Sequence, residues 1–242
     1  MKTNIAAFPT NELPLDSPAQ SDVPEYLSKF YWWAYLHPYA VRFFDRPWII
    51  NLILLGNYRR LGKAALDAFG SLVNQRVLQV ACVYGDLTPR LAGKLEGAAS
   101  LDVVDVAQIQ LDNLQRKLSA GQAVRLKREN ACNLGFANGH FDKTLLFFLL
   151  HEQPEDVRRA TLAEALRVTR SGGRLVIVDY HRPSRFNPVY YFMSAVLKTL
   201  EPFAMDLWRK EVSDYLPADA KSLSISKRTC FAGLYQIVCF DI

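Results

Sequence analysis

An α/β fold with a doubly wound, mainly parallel seven-stranded sheet is what this sequence predicts, and three observations predict it. From residue 76 onward, short apolar strand patterns alternate with amphipathic helical ones, as in a sheet covered by helices on both faces. The segment "FDKTLLFFLL" is almost continuously apolar, which a strand buried on both faces requires. The chain closes with two strand-like runs around Ala232–Gly233, read as an antiparallel C-terminal hairpin.

Taken in order, "AAFPTNELPLDSPAQSDVP" holds four prolines and little periodicity, so residues 1–24 are expected to form a flexible tail ahead of a domain over 25–242. Residues 25–70 read as a helical N-terminal cap. "RVLQVA" is the first strand and "DLTPRLAGKL" its following helix; "ASLDVVDV" is the second strand. The helix "AQIQLDNLQRKLSA" carries Ile109, Leu111, Leu114 and Leu118 on its apolar side. "AVRLKRE" is the third strand and "FDKTLLFFLL" the fourth. "PEDVRRATLAEALRVTRSGG" is an amphipathic helix expected to end at Gly172 and Gly173, and "RLVIVDY" is the fifth strand. Residues 183–220 interrupt the alternation as a second cap insertion before the final hairpin.

Both interruptions are aromatic-rich, with Trp32, Trp33 and Trp48 in the first and Phe186, Tyr190, Tyr191 and Phe192 in the second. Two readings stand side by side: the aromatics pack helices onto the sheet, or they build an apolar pocket and a membrane-facing surface over the strand ends.

Composition narrows the function classes. The chain has 242 residues, half of them hydrophobic, and a net charge of +5, enough for one α/β domain with a sizeable core. No Lys/Arg block or RNA-binding signature is present, so no nucleic-acid partner is expected. Cys82, Cys132, Cys230 and Cys239 stand far apart without a C-x-x-C pair, which reads as reduced thiols in a cytoplasmic protein. The first residues lack a secretory h-region, and the longest apolar runs, 48–55 and 144–150, are too short to span a bilayer. Membrane attachment would then be peripheral.

The order of motifs resembles the class I S-adenosylmethionine (SAM)-dependent methyltransferases, especially the branch that modifies quinones. "VLQVACVYGDLTPRLA" stands where that family has a strand, an acidic residue and a G-x-G-x-G turn. "VVDV" ends on Asp105, in the place of the acid that holds the ribose hydroxyls. "RENACNLGF" stands at the adenine loop, followed by the family's fourth strand, helix and fifth strand. More narrowly, "ACVYGD" and the leader "YWWAYLHPYAVRFFDRPWI" resemble the rhodoquinone-biosynthesis family. That resemblance implies replacement of a methoxy group of ubiquinone by an amino group from SAM, with manganese, at the inner-membrane surface.

The resemblance implies cofactor contacts from Gln79, Ala81, Val83, Gly85, Asp105, Asn130, Ala131 and Cys132, with Tyr58 closing over the cofactor. Neutral Gln79 in place of an acid would leave the SAM amine less firmly protonated, and a free amine is a nucleophile. His151, Tyr180 and His181 are the candidate catalytic residues, because strand ends face the ligand in such sheets. Glu152, Asp179 and His181 are the candidate manganese ligands, as carboxylate and imidazole suit that ion. Two rivals remain: conventional methylation of a quinone precursor or other apolar acceptor, and a non-catalytic scaffold.

Overall fold

The computed structural model describes residues 23–242; the expected tail, except its last two residues, lies outside them. The leader forms α1 (Glu25–Phe30), α2 (Trp32–Tyr35), α3 (Pro38–Phe44), α4 (Pro47–Ile53) and α5 (Tyr58–Phe69). Pro38 and Pro47 open α3 and α4, where a missing N–H costs nothing but a preceding helix cannot continue. In α5, Tyr58, Leu61, Ala65, Leu66 and Phe69 are buried, a helical stripe laid against the sheet.

The sheet comprises β1 (Arg76–Val80), β2 (Ser100–Asp105), β3 (Val124–Arg128), β4 (Phe141–Phe147), β5 (Thr169–Tyr180), β6 (Ser224–Cys230) and β7 (Tyr235–Asp241). Between them lie α6 (Leu87–Ala92), α7 (Gln108–Gln115), α8 (Glu155–Val168) and α9 (Pro188–Leu200). The spatial order is β3-β2-β1-β4-β5-β7-β6, parallel except where β7 pairs antiparallel with β5 and β6. The doubly wound class and the terminal hairpin follow the sequence expectation. Strand order reverses between β1 and β4, the switch point where such sheets open a crevice at their carboxyl ends.

Alternate strand residues supply two cores. Val77, Val103, Leu145 and Val176 pack with α5 on one face, while Leu78, Val104, Leu146 and Ile177 pack with Leu162 and Ala165 of α8 on the other.

One boundary differs from expectation. Gly172 and Gly173 do not end α8; they lie inside β5, which starts at Thr169. The β4–β5 register shifts between Phe141 and Lys143, and a Cβ on Gly173 would lie 2.7 Å from both Arg170 O and Asp142 O. The glycines serve a bulged, close-packed strand pairing, which helical periodicity alone does not reveal. Among the described residues, no helix is long and apolar enough to cross a membrane.

Candidate active site

A cavity of about 210 Å³ lies at the carboxyl ends of β1, β2, β4 and β5, roofed by the helical leader. Two non-glycine residues on its wall adopt left-handed backbone: Ala81 after β1 (φ 70°) and Phe148 after β4 (φ 52°). Each such residue costs about 1–3 kcal/mol, and such strain gathers at ligand sites.

At the β1 turn, Ala81 N donates to Val104 O (2.8 Å) and Cys82 N to Asp105 Oδ2 (2.7 Å). Asp105 Oδ1 accepts from Ala107 N at 2.8 Å. Loss of water pushes the Asp105 carboxyl up to about 6, against the pull of those amides. Asn130 and Ala131 line the same end, where Asn130 Oδ1 accepts from Cys132 N at 2.9 Å.

The bulky turn residues work on the roof. The Tyr84 ring stacks on Tyr35 with centroids 5.7 Å apart and planes 9° apart. Its hydroxyl donates to Ala34 O (2.6 Å) and accepts from Gln110 Nε2 (3.0 Å). The turn thereby pins the leader over the crevice. Truncating Tyr84→Ala removes the stacked ring and both hydrogen bonds, about 1–3 kcal/mol of local restraint. Amides of residues 32–44 are expected to exchange faster in hydrogen-exchange measurements while those of β1 and β4 keep their protection.

Gly85 faces the roof rather than the cavity. It has φ 84°, and a Cβ there would meet the Tyr58 hydroxyl at 2.5 Å and Ile50 Cδ1 at 2.8 Å. Its N–H donates to Asp45 Oδ1 (2.8 Å), which also holds Lys117 Nζ at 2.7 Å. Gly85→Ala is therefore expected to cost about 2–4 kcal/mol from strain and overpacking, read as a lower denaturant midpoint.

The other end of the cavity holds a buried acid–base cluster. His151 Nδ1 meets Asp179 Oδ1 at 2.9 Å. Asp179 is fully buried and also accepts from Leu150 N (2.9 Å), His151 N (3.3 Å) and Tyr180 N (2.7 Å). Burial disfavours the charged imidazole, but Asp179, with Glu201 and Glu152 behind it, overrides this and raises His151 to about 9. Glu152 accepts a hydrogen bond from the Tyr35 hydroxyl and lies 3.7 Å from His151 Nε2. Burial raises Glu152 well above the usual carboxylate range and raises Glu201 as well, and the His151 charge only partly offsets it.

Glu201 Oε2 and the Tyr31 hydroxyl are buried without a well-formed hydrogen bond, although each carboxyl and phenol is close enough to shift the other. Tyr180 packs edge-on to His151 with centroids 4.9 Å apart. The whole cluster is clamped by fully buried Arg158, which donates to Leu150 O and Gln153 O at 2.8 Å and to Phe203 O at 3.1 Å.

Of the residues singled out from sequence, Tyr58, Ala81, Val83, Asp105, Asn130, Ala131, His151, Glu152 and Tyr180 line this cavity. Four do not. Gln79 is fully buried behind the turn, donating to Ala81 O and accepting from Thr88 Oγ1, both at 3.0 Å. Its amide needs a donor and an acceptor there, which a carboxylate lacks. Gly85 faces Tyr58, as above. Cys132 turns toward α8, its sulfur 3.5 Å from Val157 O. His181 donates from its backbone to Leu234 O, places Nδ1 2.7 Å from Gly233 O, and lines a second, separate cavity. Tyr58 reaches the wall, but its hydroxyl caps α6 by accepting from Asp86 N (2.7 Å) and Leu87 N (3.0 Å).

The residues proposed for manganese do not fit one ion. Glu152 faces the main cavity, the Asp179 oxygens are held by three amides and an imidazole, and His181 faces elsewhere. Among the described residues, no group of three or more His, Cys, Asp or Glu could hold a metal ion. SAM fits better: the Asp105 carboxyl on the cavity wall suits ribose hydroxyls, and Asn130 with Ala131 suits an adenine edge. Tyr35, Glu201 and Gln110 were not legible as site residues, since Tyr35 reaches Glu152 across 117 residues of chain.

Known proteins agree with this geometry. The family pattern described as Methyltransferase domain matches residues 77–173. A demethylmenaquinone methyltransferase of Beutenbergia cavernae is 31% identical over 176 residues, covering 68% of this chain and 69% of that one. A demethylmenaquinone methyltransferase of Lactiplantibacillus plantarum is 31% identical over 153 residues, or 60% of this chain; the alignment spans 64% of that relative's length. In structure, an O-methyltransferase family protein of Burkholderia thailandensis superposes with a TM-score of 0.61 at 13% identity, over 84% of this chain and 59% of that one. That last likeness shows the fold alone. With strand order, cavity position and sequence in agreement, the chain belongs to the class I SAM-dependent methyltransferases, within the group that holds the demethylmenaquinone methyltransferases.

Proposed function

We propose that this chain methylates the ring of a quinone precursor, using SAM bound between the β1 turn and the Asn130 loop. One observation carries the reading: His151, held from behind by Asp179, shares its cavity with Asp105 and an aromatic, apolar roof. Asp105 would hold the ribose hydroxyls, and Asn130 and Ala131 the adenine. SAM, when bound, supplies an electrophilic methyl group.

His151 is the group that activates the acceptor. Held by Asp179 through Nδ1, it keeps Nε2 toward the cavity and stays protonated at neutral pH. An imidazolium beside a quinol oxygen stabilises the phenolate form and enriches the adjacent ring carbon. Glu152 or Glu201, when ionised, would take the quinol hydroxyl proton, and the hydrogen on the methylated carbon would move to that oxygen as the ring regains its aromaticity. Trp33, Phe44, Ile50 and Leu54 on the cavity wall suit an apolar acceptor with a prenyl tail. Such an acceptor resides in a bilayer, and a chain acting on it would work at a membrane surface.

A second reading, amination of ubiquinone to rhodoquinone, is favoured by the turn itself. Val83 puts a side chain on the cavity wall where the resembled turn has its second glycine, and Tyr84 lines the wall beside it. A methionine end displaced by them would present its amine instead of its methyl. The cluster's acids would then protonate the departing methoxide, and the bond between the nitrogen and the SAM α-carbon would have to break in a later, hydrolytic step to leave the amino group on the ring. Gln79 adds less to this reading than its position in sequence implies, because it is buried behind the turn.

One experiment separates these readings. SAM carrying heavy nitrogen in its amino group and heavy carbon in its methyl is incubated with the protein and either a demethylated quinol or ubiquinone. Heavy carbon in the ring establishes methylation; heavy nitrogen with loss of methoxy establishes amination. Neither label in either quinone would leave a scaffold.

A further inference from the structure

The second cavity, about 430 Å³ in volume, is formed by the segment after β5 and the turn after Trp208. Arg182, Arg185, Arg209, Lys210 and His181 line it, with two carboxylates, Glu211 and Asp214. Those carboxylates are already engaged: Glu211 pairs with Lys227, and Asp214 Oδ2 accepts from Glu211 N at 2.9 Å. Lys210 is paired with Glu155 at 2.7 Å and Arg209 with Asp206 at 3.3 Å. Arg182 and Arg185 make no ion pair among the described residues, and both are exposed. Arg182 lies over the Tyr190 ring, 6.0 Å from its centroid. Two unpaired guanidiniums beside the Ser184 hydroxyl are suited to a phosphate, whose oxygens match their paired donors.

What flanks this pocket names the source of that phosphate. Phe186, next to Arg185, is 100% exposed, and Tyr191 and Phe192 on α9 are 65% and 57% exposed. A wholly exposed phenylalanine beside unpaired arginines suits a bilayer interface, where rings enter the headgroup layer and cations meet lipid phosphates. Phe203, beyond α9, packs edge-on against Tyr26 and Phe30 of the leader. Trp33 and Ile53, 40% and 47% exposed, line the main cavity itself. Exposed apolar side chains thus stand both beside the basic pocket and on the wall of the main cavity.

We propose that the pocket around Arg182 and Arg185 binds the phosphate headgroup of an anionic phospholipid, with Phe186 inserted beside it, docking the main cavity's entrance against the bilayer. The inference deepens the quinone reading and rests on it for its purpose. Its test needs neither SAM nor a quinone, so either can fail without the other.

The full chain is sedimented with vesicles of phosphatidylcholine alone and of phosphatidylcholine mixed with phosphatidylglycerol. Binding is expected only with phosphatidylglycerol, weakening as salt rises. Arg182→Gln/Arg185→Gln is expected to weaken it about fivefold per arginine, and Phe186→Ser to weaken it further. Lys63→Gln/Lys94→Gln, an equal loss of charge at exposed sites elsewhere, is expected to cost far less. All these positions are exposed, so circular dichroism should report unchanged folding. Equal losses from both double variants would reduce the effect to net charge and overturn the site. Unchanged binding by Arg182→Gln/Arg185→Gln, or tight capture of inorganic phosphate with no vesicle binding, would also overturn it.

Discussion

Asp179→Asn is expected to lower turnover by about 10²–10⁴-fold, the range of a lost general acid–base contribution. Asp179 holds the His151 ring and three backbone amides of the turn, all within 3.3 Å. The amide keeps the shape but removes the charge that raises His151. It also turns a donor toward a cluster of donors. Kinetics should show the loss in kcat more than in KM, because Asp179 is fully buried and leaves the acceptor's apolar walls intact. The alkaline limb of the pH–rate profile, set near 9 in the parent by His151, should move to lower pH in the variant. His151→Gln should lose a similar factor, and the two losses should not add, since the pair acts as one unit.

The second large effect is on stability as a function of pH. The folded His151 is raised from 6.5 to about 9, so the folded state holds a proton that the unfolded chain releases. The stabilisation is therefore complete below about 6.5 and is lost as pH rises through about 9. At full effect it is worth about 3 kcal/mol. Glu152 and Glu201 act in the same direction: raised folded values favour the folded state while protonated and oppose it once pH climbs above the ordinary carboxylate range. Denaturant midpoints should fall steadily between pH 6.5 and 9 in the parent. Asp179→Asn should flatten that slope although it lowers stability at pH 6.5. A parent protein equally stable across this window would contradict the charge pattern of the cluster.

The sheet was largely legible because its central strands are mostly apolar runs bounded by polar or glycine residues, as in the "TLLFFLL" of "FDKTLLFFLL". Gly172–Gly173 misled, since a helix stop and a strand bulge use the same residue for different reasons. Residues at strand ends, Asp105, His151 and Tyr180, reached the cavity because topology alone directs them there. Gln79, Gly85, Cys132 and His181 missed it because a strand or turn has two sides, and only packing decides which side meets the ligand. Cys132 turned to Thr161 of α8, and His181 to the carbonyl of Gly233. Tyr35 and Glu201 were hidden for a different reason. They come from the leader and from the end of α9, elements whose placement depends on contacts such as Tyr84–Tyr35 and Arg158–Phe203. No local pattern encodes those long-range pairings.

The central claim is that the altered turn still forms a SAM site with Asp105 as its anchor. Calorimetric titration of the purified chain with SAM tests it most directly. One SAM bound per chain, weakened about tenfold or more by Asp105→Asn through lost ribose hydrogen bonds, is the predicted result. No binding by the parent, or binding indifferent to Asp105→Asn, would contradict it.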